Sequence, residues 1–451
     1  MRFITSHGMI FTRLTRLLLC VVSLGYSVSG QSMGLMEAWQ RAVAHDPTFQ
    51  AAIHEHNARA EDKNIGRAGL LPKISYSYGH SQNNSTVTSG GRETDRDYTS
   101  YASTLSLQQP LLDYEAWSRY QQGNATAQQS VEELRNARQH LLVRLFQSYI
   151  NVLFSREQTA LVDVQIRTYQ EQYRLNQRLF QNGEGTRTDI LETEARLNLT
   201  QALRIEAQDN LDISLRELET LLGMPVTAGE LDSLSPGFTP PELPADNYQL
   251  RQTESLRYNA QLLAINQSLA VAKYEISRNR AGHFPQVTLV ASIRKTQSDT
   301  ESDYNQRYDT RSVGFQVSVP IFSGGGVSAA TRQASERYEQ AYQKKDEQTA
   351  KILNELRRQF NLVSSSQAKI KAYQLAENSA LSLVDATRKS VKGGERVNLD
   401  VLNAEQQLFS VRRDLSEARY TWLTSWLQLR YYTGDLDDST LRQLAGYFHS
   451  A

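Results

Sequence analysis

One cysteine stands in 451 residues, and it is Cys20. It lies inside the apolar run 17–24, behind Arg2, Arg13 and Arg16 and ahead of the small residues SVSG that end at position 30, with no acidic residue in between. Residues 1–30 therefore read as a secretory signal peptide. Leu19 is too bulky a neighbour to favour a lipid anchor on Cys20. Once that segment is removed the chain has no thiol, which excludes disulfides and thiolate metal sites. No later run of 18 apolar residues occurs, which excludes a membrane-spanning helix. Lys and Arg total 49 against 49 Asp and Glu, so no single sign of charge marks a nucleic-acid partner.

Proline is also scarce where it matters. All ten prolines lie at or before Pro320, leaving stretches of 114 residues (111–224) and 131 residues (321–451) without one. Proline breaks helices by removing a donor and crowding the preceding turn. Each stretch is interrupted by a glycine pair, Gly183/Gly185 and Gly393/Gly394. Each thus reads as one very long helix, a tight turn and a shorter returning helix. A rod over 114–181 would be about 100 Å long at 1.5 Å per residue.

The two stretches echo one another. GEGTRTDILETE at 183–194 and GERVNLDVLNAE at 394–405 share Gly, Glu, Asp, Leu and Glu, 211 positions apart. At the same offset Leu211, Leu215, Leu218 and Gly223 answer Trp422, Trp426, Leu429 and Gly434; upstream the offset drifts by two, where AGLLP at 68–72 answers AGHFP at 281–285. The chain is one unit written twice. We divide it into a first repeat (31–234), a Pro-rich linker (235–246), a second repeat (247–434) and a C-terminal tail (435–451).

In the last helix Val401, Ala404, Leu408, Val411, Leu415, Ala418, Trp422, Ser425, Leu429 and Tyr432 fall alternately three and four apart, the period of a coiled-coil seam. The matching stripe of the first repeat (Ile190, Thr193, Leu197, Thr200, Arg204, Ala207, Leu211) is more polar, and so is the partner face it predicts. An ordinary bundle core is the alternative for either stripe, disfavoured by the length of the rods. Ahead of each rod the period changes to two: Ile74, Tyr76 and Tyr78; Tyr101, Leu105 and Leu107; Val287, Leu289, Ala291 and Ile293; Val313, Phe315, Val317, Val319 and Ile321. These predict two hairpins, at about 73–109 and 286–321, each joined by a long polar loop. Strands of about ten residues suit a membrane barrel. Four cannot close one, so the chain must oligomerise. A soluble sheet over a helical core is the competing reading.

Catalytic patterns are absent. His54 and His56 are two apart on a helix and face different sides. SGGG at 323–326 lacks the Lys-Ser/Thr of a phosphate loop and fits a flexible strand-to-helix turn. No GxSxG elbow occurs. We expect no enzyme activity, no cofactor and no metal.

The duplicated halves, the paired strands, the rods with glycine turns, the signal peptide and the stretch GERVNLDVLNAEQQLFSVRRDLSEARYTWL together resemble the TolC family of outer-membrane channel proteins. The resemblance covers the whole mature chain. It implies a mainly α protein with membrane β: a homotrimer with a twelve-stranded barrel in outer-membrane lipid and a coiled-coil tunnel across the periplasm. It also implies an inner-membrane transporter, ABC type in protein secretion, recruited through a periplasmic adaptor. The echoed turns, Gly183, Glu184, Gly185 and Gly393, Gly394, Glu395, match the periplasmic mouth where adaptors dock. Asp400 matches the first layer of the family's aspartate ring, while Asn403 stands at the second. Thr188, Asp189 and Arg396 match the family's gate links, and Val391 replaces a tyrosine there. The general look is nearest the protease-secretion members, implying type I secretion. Small-molecule efflux is the alternative, and a periplasmic adaptor, which carries one helical hairpin where this chain has two, is a more distant one.

Overall fold

A computed structural model describes residues 33–241, 247–298 and 306–449. The signal peptide, the end of the Pro-rich linker and the tip of the second polar loop lie outside the described residues. The chain begins with α1 (Leu35–His45), α2 (Pro47–Ala60) and α3 (Asp62–Ala68), followed by β1 (Lys73–Ser89) and β2 (Arg92–Leu112). The first rod, α4 (Tyr114–Gln181), starts one residue after β2, where Asp113 accepts a hydrogen bond from the Ala116 N–H at 2.9 Å. It returns as α5 (Arg187–Leu222), and β3 (Ser233–Leu234) follows. The second repeat runs α6 (Tyr248–Tyr258), α7 (Ala260–Arg280), β4 (Gln286–Ser298), β5 (Gln306–Ser318), the rod α8 (Gly326–Lys392) and α9 (Asn398–Thr433). Boundaries repeat at the offset of the sequence echo: Gln181 answers Lys392, Arg187 answers Asn398 and Leu222 answers Thr433.

Burial follows steps of seven. On α8, Leu356, Val363, Ile370 and Val384 form one buried row, and Gln359, Ser366, Ala380 and Thr387 the other. On α5 the buried row is Thr193, Thr200, Ala207, Ser214 and Leu221. Its small residues let α4 approach closely, with Ser155 and Ser214 hydroxyls 3.2 Å apart. Arg204, the charged member of that stripe, pairs with Asp163 of α4 at 2.8 Å. α7 packs on both α4 and α8 near the sheet; toward the far ends α4 packs against α5 and α9, and α9 against α8, which leaves the outer flanks of α5 and of the far half of α8 uncovered. Leu199, Ile205 and Ile213 on α5 and Leu375 on α8 stand exposed there.

The apolar core gathers midway along the rods. Trp39, Phe146, Tyr149, Phe238, Trp422 and Phe448 belong to one buried cluster. The segment after Gly434, expected as a tail, instead folds as α10 (Asp438–Ala445) and β6 (Phe448–His449), which pairs antiparallel with β3. Leu441, Leu444 and Phe448 supply the reason, since all three are buried, and the Phe448 ring lies 5.9 Å from that of Tyr149. Asp46, also buried, caps α2 by accepting from the Phe49 N–H at 2.8 Å and pairs with Arg144 of α4 at 2.7 Å.

The strands form one antiparallel sheet in the order β1-β2-β4-β5, with β1 and β5 at its edges. The polar stretch 83–97, expected as a loop, is mostly paired strand, with Asn83 opposite Tyr98 and Ser89 opposite Arg92. Gly90 and Gly91, at φ 60° and 83°, close it in the positive-φ turn that matches strand twist. The two repeats attach differently to their rods. Only Asp113 separates β2 from α4, whereas residues 319–325 separate β5 from α8 and include Gly324 and Gly325 at φ 60° and 78°.

Candidate functional site: the paired helical turns

At the far ends of the rods the two turns are built identically. The Asn182 N–H donates to Arg178 O, Gly183 N–H to Phe180 O and Glu184 N–H to Leu179 O; Gly393 donates to Lys389 O, Gly394 to Val391 O and Glu395 to Ser390 O. Gly183 and Gly394 take φ of 79° and 77°, a conformation that penalises any side chain. Gly185 has a different reason, because a Cβ there would lie 3.1 Å from Leu179 Cβ.

The helix starts differ. In the first repeat Thr186 caps α5 with its hydroxyl, and the Asp189 carboxylate reaches back to the Thr186 N–H at 3.1 Å and hydroxyl at 2.6 Å. In the second repeat the cap position is Val397, which has no side-chain acceptor. Asp400, the counterpart of Asp189, therefore has no capping partner of that kind and stands half-buried in the first turn of α9. Carboxylates are favoured in that turn by the helix dipole.

Within one chain Arg396 makes no hydrogen bond or ion pair with Thr188 or Asp189 among the described residues. Both Arg396 and Thr188 are exposed, and the Asp189 carboxylate is occupied by its own helix cap. Val391 contributes its carbonyl to the second turn. Asn403 accepts from Arg196 of α5 at 3.2 Å, so its side chain ties the two hairpins together.

The main inter-hairpin contact is one that the sequence reading missed. Gln172 of α4 donates to Asn398 at 2.7 Å; Asn398 reaches Thr193 of α5 at 3.4 Å; Asn176 donates to Thr193 at 2.9 Å; and Thr193 donates to the Asp189 carbonyl at 2.8 Å. Thr193 is 0% exposed, Asn176 3% and Asn398 7%, so these three form a buried polar layer, with Gln172 at its half-buried rim. Further along the rods Gln165 donates to Gln406 at 3.0 Å and to the Tyr169 hydroxyl at 3.2 Å. Burial raises the Tyr169 pKa, with the Gln165 hydrogen bond opposing, so the phenol stays neutral. A signal was available, since Val162, Gln165, Tyr169, Gln172 and Asn176 alternate three and four apart on α4 with amides at seam positions.

A buried amide layer is costly when half-satisfied. Asn398→Leu should destabilise the helical part by about 1 kcal/mol, because Gln172 loses the nearer of its two acceptors and keeps only Asn176 at 3.2 Å. Adding Gln172→Leu should return part of that loss, since two apolar partners replace two polar ones. Thermal melts of the single and double variants check this, and strictly additive losses would refute the coupling.

Comparison with known proteins places these features. The family model described as "Outer membrane efflux protein" matches residues 38–224 and 253–435, the two repeats. "Proteases secretion protein PrtF" of Dickeya chrysanthemi is 47% identical over 429 residues, covering 94% of this chain and 93% of that protein. "Alkaline protease secretion protein AprF" of Pseudomonas aeruginosa is 47% identical over 423 residues, covering 93% and 88%. Among solved structures the Campylobacter jejuni CmeC outer membrane channel superposes with a TM-score of 0.78 at 16% identity, covering 92% of this chain and 90% of that one. The chain thus belongs to the outer membrane efflux protein family, as a non-catalytic channel set in the outer membrane with its helical rods reaching into the periplasm.

Proposed function

We propose that this export duct serves type I protein secretion, working as a homotrimer with a periplasmic adaptor and an inner-membrane transporter of the ABC type. The observation that carries the reading is the 47% identity to two proteins named for protease secretion, over more than nine-tenths of this chain. The trimer is supported by the two free sheet edges and the uncovered apolar flanks of α5 and α8. Three copies supply enough strands to close a barrel, which removes the edges.

In this reading the echoed turns receive the adaptor and close the mouth. Asp400 forms a carboxylate ring of three that attracts multivalent cations. Arg396, exposed at one turn, links to Thr188 and Asp189 of a neighbouring copy.

The test is complementation of a secretion system whose outer-membrane component is deleted while transporter and adaptor remain. Protease should appear in the medium. Restored resistance to small toxic compounds without protease export would replace this reading with efflux. In planar bilayers Asp400→Ala should weaken block by a trivalent cation from the periplasmic side, and Arg396→Ala should raise resting conductance; unchanged values would remove those roles.

A further inference from the structure

The sheet sorts its acids by face, while cations stand on both, with Lys295, Arg307 and Arg311 on the side of Ile293 and Asp309. Residues opposite one another in a ladder share a face, and successive residues alternate. Leu105 lies opposite both Tyr76 and Ile293, and Leu107 opposite both Ile74 and Ala291, so one face carries the apolar rows. Val313 and Phe315 continue those rows on β5, opposite Ala291 and Leu289. In an outer-membrane channel this is the lipid side, and its opposite lines the lumen.

Alternation puts every acid of the described strands, Glu93, Asp95, Asp97 and Asp309, on the apolar side. Side-chain contacts agree. Asn84 donates to Asp97 at 2.6 Å, Thr86 to Asp95 at 2.7 Å, and Lys295 pairs with Asp309 at 3.7 Å, all between residues of that face. The lumen side receives Lys73, Arg92, Arg96 and Arg294 and, among the described residues, no acid.

Arg294 is exposed in the middle of this face. Its cross-strand neighbours are Thr104 and Thr310, and the next row toward the rods is Ser75, Ser106, Ser292 and Ser312, one serine on each strand. These hydroxyls are spent on one another, with Ser75 and Ser106 oxygens 2.7 Å apart and Ser292 and Ser312 likewise 2.7 Å apart. A guanidinium on a neutral hydroxyl lining, inside low-dielectric walls that focus its field, attracts carboxylates and has the geometry to hold them.

We propose that the barrel lumen is a polyanion-engaging exit, in which carboxylate-rich polypeptide segments are held in passing by Arg294, with Lys73 at the periplasmic end and Arg92 and Arg96 on the ribbon beyond. The inference rests on the channel reading, with each copy contributing its set, and it names the substrate chemistry of that channel. Charge then changes sign along the duct, from the Asp400 carboxylates at the mouth to cations at the exit.

The experiment uses the full channel in planar bilayers with poly-L-glutamate added on the extracellular side. Block should be concentration-dependent and should fade between 0.1 M and 1 M salt, where the screening length falls from about 10 Å to about 3 Å. Arg294→Gln should raise the half-blocking concentration on the order of tenfold, and Arg294→Gln with Lys73→Gln further. Poly-L-lysine from the same side should block less than poly-L-glutamate. A conducting channel that poly-L-glutamate does not block, or blocks equally in the variants, overturns the proposal and leaves the channel reading standing. Absence of any conductance overturns both.

Discussion

Gly434→Ala should leave little folded protein. The residue ends α9 at φ 92°, a left-handed conformation that costs an ordinary residue about 1–2 kcal/mol. A Cβ there would also stand 2.5 Å from the Tyr258 carbonyl carbon and 2.6 Å from the Asn259 nitrogen, both backbone atoms. That backbone is pinned. Asn259 caps α7 through the Leu262 N–H at 3.1 Å and donates to the Tyr432 carbonyl at 3.1 Å, and Ser255 donates to the same carbonyl at 2.8 Å. Overpacking of such a contact adds about 1–3 kcal/mol or more. The repeat supplies its own control, because Gly223 occupies the matching position at φ 69° with only the His45 side chain near, 3.1 Å away at Cβ. Gly223→Ala should therefore cost clearly less. Thermal melts of the two variants decide it, and equal losses would show that the backbone contact is not the cause.

Asp46→Ala should produce the next largest loss. The carboxylate is 3% exposed and does two tasks, capping α2 through Phe49 and pairing with Arg144. Losing the cap typically costs about 0.5–2 kcal/mol, and the unpaired Arg144, whose side chain is 30% exposed and can be hydrated, adds a smaller loss of about 1 kcal/mol. Asp46→Asn retains a cap acceptor and loses the charge, so it should fall between wild type and alanine. The His140 imidazole reports the change. Burial first and the Arg144 charge second hold its pKa below the ordinary value, while Asp46 opposes them, so Asp46→Ala should lower it further. Denaturant midpoints and titration of the His140 ring provide the measurements.

The long-period features were legible because they depend on patterns that tertiary context does not rewrite. Proline-free stretches and a period of 3.5 yield rods, and strict alternation yields strands. Features that depend on particular partners were harder to see. The stretch 83–97 looked like a loop because its residues are polar, yet a ribbon with two polar faces needs no apolar alternation, and Gly90–Gly91 was the readable sign of its turn. The C-terminal segment looked like a tail because Leu441, Leu444 and Phe448 are too few to predict burial until β3 and the core around Tyr149 are known to receive them. At the mouth, motif matching singled out Asp189 by its place in the turn, while the bond it makes within the chain, to the Thr186 cap, is visible only in the structure. The amides that join the hairpins went unnoticed because a buried Asn or Gln is recognisable only once its partners are.

The two rods are suspended differently. With a single residue between β2 and α4, the first is a beam clamped to the sheet and takes its direction from it. The second follows residues 319–325, where a Cβ on Gly324 or Gly325 would meet nothing within 4 Å, and takes its direction instead from α7 and the turn after it, with Val327 against Gly282 and Arg337 beside Glu275 at 3.6 Å. Over an arm of about 100 Å, one degree of tilt against α7 moves the far end by roughly 1.7 Å. Each copy thus carries one rod aimed by the sheet and one aimed by a neighbouring helix, and the second leads into the turn ahead of Asp400.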